Sequence, residues 1–140
     1  MVKVKVGICG FARSQDIVFF FRSIDTKGNI KMVWEQRGNW SKNTIGKLCA
    51  ELGIIHCVDP FAGDSVTHAS FAYFRLHGSP LGKRMYHYTY TEENLKKLYE
   101  KCMNMNFSEV YVLFNNDTMY EDALRFIKKK RVVNRYRKVR

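Results

Sequence analysis

No stretch of this 140-residue sequence is long and apolar enough to span a bilayer. Its longest apolar runs, such as Ile17 to Phe21, fall far short of the roughly 20 residues that a transmembrane helix requires. The basic residues near Met1 are followed by alternation rather than by a hydrophobic leader core. The expectation is therefore a soluble, cytoplasmic protein with no membrane partner. Cysteine is sparse as well: Cys9, Cys49, Cys57 and Cys102 form neither a CxxC pair nor a Cys/His zinc spacing, which speaks against a zinc module and a disulfide framework. Cys49 sits in a helical pattern and Cys57 in a strand, as small buried hydrophobes do. Cys9 lies beside two glycines at a strand end, with nothing in the sequence to activate it.

What is present suits one compact domain: 46% of the residues are hydrophobic and 14% aromatic. The formal charge is +11, but its distribution is uneven. Lys128 to Arg140 carries eight basic residues and no acid, leaving about +3 for the rest of the chain. This divides the sequence into an α/β domain over 1–127 and a basic helix end and tail over 128–140. A basic tail is weaker evidence for a nucleic-acid partner than a basic face with interleaved aromatics, so that partner is the alternative reading.

Val2, Val4, Val6 and Ile8 alternate with lysines and predict a first strand ending at Gly7-Ile8-Cys9-Gly10-Phe11. Asp16 to Ile24 reads as a brief helix or an irregular segment. Ile30 to Glu35 is a second strand, and Ser41 caps a helix with apolar positions Ile45, Leu48, Cys49 and Leu52 that stops at Gly53. Ile54 to Val58 and Phe71 to Leu76 read as strands, Thr91 starts a helix running to about Met103, Glu109 to Phe114 is a strand, and Tyr120 to Val133 a last helix. Strands alternating with helices predict a mainly parallel sheet, whose ligands sit at the carboxyl ends of the strands.

Taken together, GICGF at Gly7 to Phe11, WEQRGNW at Trp34 to Trp40, DPF at Asp59 to Phe61, YFRLHG at Tyr73 to Gly78, the tyrosines Tyr86, Tyr88 and Tyr90, and VYVLFNND at Val110 to Asp117 resemble the YecE-like family, domain of unknown function 72, and its archaeal members in particular. The resemblance implies a TIM-like (β/α) barrel without an established activity. Such a barrel takes about 250 residues, or about 200 at the low end. Here the first-strand motif is followed closely by what resembles the family's fifth-strand motif, so the strands equivalent to two to four are expected to be missing. The remaining five, numbered five, six, seven, eight and one, are expected to stay contiguous as a partial barrel. Its open sheet edges predict a homo-oligomer or another completing partner.

Strand periodicity places Arg75 and His77 on one face, and Glu35 and Arg37 together, opposite Trp34 and Gln36. A charge near a barrel rim needs a partner, and Glu35 with Arg75 or Arg37 is the simplest arrangement. His77 and Glu35 are the candidate proton-transfer residues; Arg37, Asp59, Arg75, Tyr86, Tyr88, Asn115 and Asn116 are the candidate ligand-binding residues. The ligand expected is small and polar or anionic. No cofactor is indicated, and metal binding by Asp59, Glu35 and His77 is the lesser alternative to proton transfer. Whether the chain is an enzyme at all stays open at this point, since a structural ion pair would also account for these charges.

Overall fold

The structure, a computed structural model, describes residues 4–10, 13–24, 30–67, 69–78 and 85–137, the side chains of 4–9 and 130–137 excepted. Among the described residues, five strands and four helices follow in the order β1 (Val4–Gly10), α1 (Ser14–Ser23), β2 (Ile30–Gln36), α2 (Lys42–Leu52), β3 (Ile55–His56), β4 (Phe71–Leu76), α3 (Glu92–Asn104), β5 (Glu109–Phe114) and α4 (Met119–Arg137). Every strand pairing is parallel. The ladder is continuous through β1-β2-β3 and through β4-β5. Beyond the end of β3, Val58 joins the two parts: its N–H donates to the Tyr73 carbonyl at 3.4 Å, and its carbonyl accepts from the Arg75 N–H at 3.0 Å.

The helices obey local rules. Ser41 accepts the Thr44 N–H and starts α2, while Gly53, at φ +63°, takes the left-handed position that ends it. Thr91 and Asn94 exchange side-chain to backbone hydrogen bonds and form a capping box for α3.

One expectation is overturned by the strand order. β1 was expected beside the last strand, as the neighbour that closes a barrel, but it lies against β2, paired from Val4↔Ile30 to Gly10↔Gln36. The connection through α1 is short, and a short strand–helix–strand unit pairs its two strands with each other. Trp34 reinforces the pairing, its indole N–H donating to the Gly10 carbonyl at 3.3 Å.

Helices cover one face of the sheet. Ile17 and Phe21 of α1 and Ile45, Leu48 and Cys49 of α2 bury Trp34 and Ile54, whereas Leu95 and Leu98 of α3 pack with Leu76 and Tyr90. Each such fully buried large side chain contributes about 2 kcal/mol of transfer free energy. The opposite face holds Val33, Ile55, Cys57 and Phe71, with Tyr73 and Tyr111 against them. That face is concave. Lys31 of β2 reaches Glu109 of β5 at 3.3 Å although β3 and β4 lie between.

Candidate functional site

At the carboxyl ends of the strands this concave face turns polar. Alternation along β2 sends Trp34 to the helices, so Val33, Glu35 and Arg37 share the other face. β4 does the same, with Phe74 and Leu76 under the helices and Tyr73, Arg75 and His77 opposite. The two sets meet at Glu35. Its Oε2 accepts from the Arg75 guanidinium at 2.8 Å, its Oε1 lies 2.7 Å from His77 Nε2, and Arg37 stands 3.5 Å from the same Oε1.

Burial opposes ionisation of Glu35, but the hydrogen bonds from Arg75 and His77 and the charges of His77 and Arg37 outweigh it. The carboxyl is held below its ordinary range and is ionised near neutrality. An ionised carboxylate can only accept, so His77 Nε2 carries the proton between them. On the other side of the ring, the Asn115 amide nitrogen lies 3.1 Å from Nδ1 and donates to it. The ring is thus held at both nitrogens and is only 5% exposed.

The residues expected at the site divide into two groups. Glu35, Arg37, Arg75, His77 and Asn115 come together, and the Tyr86 ring meets the His77 ring edge to face at 5.6 Å. Asp59 is near but occupied: one carboxylate oxygen accepts the His77 N–H at 2.9 Å, the other the Phe61 N–H at 2.9 Å. It therefore fixes the histidine's backbone. The trio Asp59, Glu35 and His77 does not assemble as a ligand set, and no group of three or more metal-binding side chains forms among the described residues.

Tyr88 turns its hydroxyl to Asn94 at 2.8 Å, and Asn116 is buried, its amide donating to the Tyr88 carbonyl and to Asp122. The three tyrosines do not present their phenols on one side. Tyr86 has φ +74°, which breaks the extended alternation. Tyr90 is fully buried, and its hydroxyl accepts the Gly78 N–H at 2.8 Å.

Two participants carried no clear sequence signal. Asp122, completely buried on α4, accepts from the Tyr90 N–H, Asn116 and Thr118 and pairs with Arg125 at 2.8 Å. His56, buried on the helix side, joins Gln36 at 2.6 Å and accepts the Val66 N–H, and burial pushes its pKa down from 6.5 to about 4. Only polar residues inside apolar patterns hinted at these. The side chain of Cys9 lies outside the described residues. So do the side chains of 130–137 and all of 138–140, and with them most of the expected nucleic-acid tail; Lys129 pairs with Glu92 at 2.5 Å.

The fold and site define an α/β protein whose parallel strands carry a histidine–carboxylate pair at their carboxyl ends. A family model described as "Protein of unknown function DUF72" matches residues 17–136, and the chain belongs to that family. Among solved structures it resembles a DUF72 family protein from Thermotoga maritima, with a TM-score of 0.66 and 22% identity over 93% of this chain and 57% of that one. This chain thus spans little more than half the length of that relative. No curated protein matches it.

Proposed function

We propose that the strand-end cluster is an acid–base site for a small anionic ligand, set in half of a TIM-like, YecE-like barrel. The observation that carries this reading is the 2.7 Å contact between Glu35 and His77, with Asn115 on the second ring nitrogen. A carboxylate that holds one imidazole nitrogen orients the ring and stabilises its protonated form. Asn115 suits both states, because its amide donates to a bare Nδ1 and, turned over, accepts from a protonated one. Arg37 and Arg75 bring two guanidinium groups to the cluster, the fork-shaped donors that suit an anionic ligand. Tyr86, half-exposed beside His77, forms one wall.

Calorimetric titration with inorganic phosphate in buffers of different ionisation enthalpy tests this. Binding accompanied by proton uptake, weakened by Arg37→Met and uncoupled from protons by His77→Asn, is the expected result. The absence of phosphate binding, or binding with no buffer dependence, overturns it.

A further inference from the structure

The loop that follows β3 is fastened to a single residue. His56 bonds three consecutive positions of it: its carbonyl accepts from the Ser65 hydroxyl at 3.0 Å, its ring Nδ1 accepts from the Val66 N–H at 3.2 Å, and its own N–H donates to the Thr67 hydroxyl at 3.3 Å. The loop also closes on itself, with Ser65 Oγ accepting the Thr67 N–H at 3.3 Å. The Val66 side chain packs against the apolar cluster of α1 and α2, and together with Thr67 it walls a cleft of about 690 Å³ between the loop and α2. These bonds fix the proton on the ring. A backbone N–H can only donate, so Nδ1 is bare and the neutral ring carries its hydrogen on Nε2, facing Gln36 Oε1 at 2.6 Å. A second proton can go only to Nδ1, where it meets the Val66 N–H, donor against donor.

We infer that His56 is an acid-operated latch: protonation at Nδ1 expels the Val66 N–H and frees residues 65–67 from β3 while the strand pairings hold, which opens the cleft against α2. Burial is the largest influence on the closed ring and disfavours its charged form. Two charges face it, Glu35 on β2, which favours the cation, and Lys42 at the start of α2, which opposes it. Residues 65–67 bring no charge, and the neighbouring Asp64 is turned to Lys101 at 2.8 Å. In the open loop the ring meets water and recovers its ordinary affinity for a proton, so each pH unit below its ordinary pKa favours opening by up to about tenfold. The same connection begins at Asp59, which holds the His77 N–H, so the released segment belongs to the carboxyl-end loops where ligands are met. The latch does not depend on the acid–base reading of Glu35 and His77.

Amide hydrogen exchange followed by NMR on the full chain reads the latch, with each rate divided by its intrinsic value. The Cys57 N–H, bonded to the Trp34 carbonyl at 2.8 Å, is the reference for opening of the sheet itself. Val66 is expected to exchange faster than Cys57, through local opening, and to lose about tenfold of its protection between about pH 7.5 and about pH 5.5. His56→Asn keeps an acceptor near the position of Nδ1 and cannot be charged, so in this variant Val66 is expected to keep the same protection at both pH values. The imidazole ¹⁵N shifts of the wild type read the tautomer independently of any variant. A ring proton on Nδ1 near neutrality, Val66 protection that ignores pH, equal protection of Val66 and Cys57 throughout, or an unchanged pH dependence in His56→Asn overturns the inference.

Discussion

The carboxylate of Glu35 and the imidazole of His77 meet at 2.7 Å, 42 residues apart in sequence and on strands that are not neighbours. Curvature of the sheet makes the contact, and Asp59 secures it by holding the His77 N–H. The same carboxylate is ionised largely because Arg75 bonds its other oxygen. Arg75→Met removes that bond and leaves the burial in place. We expect the Glu35 carboxyl to titrate at higher pH in this variant than in the wild type, read from its ¹³C chemical shift. An unchanged midpoint would mean that Arg75 does not set its charge.

Acid weakens the fold in two separate steps. His56 has a folded pKa of about 4, below its ordinary 6.5, so between these values the unfolded chain binds a proton that the folded one refuses. Stability present above pH 6.5 is lost as the pH falls toward 4, by about 3 kcal/mol. Glu35, whose folded pKa is also lowered, contributes above the ordinary carboxylate range and loses that contribution at lower pH still. Urea unfolding against pH is expected to flatten in the upper window for His56→Gln and in the lower one for Glu35→Gln.

Asp122 is the anchor of the tyrosine segment. Asp122→Ala strips a partner from Tyr90, Asn116, Thr118 and Arg125 together, and Arg125→Met leaves the buried carboxylate without its cation. Each is expected to cost about 3–5 kcal/mol. Urea midpoints check this; a loss below 1 kcal/mol would show that the network contributes little.

Cys49 and Cys102 are expected to be inert in the folded protein. Burial pushes Cys49 up to about 12 and Cys102 up to about 11, so neither is a thiolate near neutrality. Mass spectrometry after iodoacetamide treatment at pH 8 should find Cys49 unmodified in buffer and modified in urea. Labelling in buffer would mean that α2 opens locally.

Wherever local chemistry decides the structure, the sequence could be read. Ser41 and Gly53 bound α2, Thr91 starts α3, and β4 and β5 coincide with their alternating segments. Alternation also placed Glu35 with Arg37 and Arg75 with His77 on shared faces. It did not reveal which strand neighbours which: β1 pairs with β2 because of a connection length whose consequence is three-dimensional. β3 shrinks to two ladder residues because Val58 leaves β2 to bridge to β4. Nor does an Asp before a proline announce whether it will bind a ligand or, as Asp59 does, two backbone N–H groups.

Both ends of the chain between His77 and Tyr86 are anchored. The Tyr86 N–H closes onto the His77 carbonyl at 2.6 Å, the Tyr86 carbonyl accepts from Asp117, and Gly78 is held by the buried Tyr90 hydroxyl. Asp59, Glu35 and Asn115 hold the histidine from other elements of the fold, so its position is set by the strand ends. Sequence change away from those strand ends would then leave the Glu35–His77 contact in place.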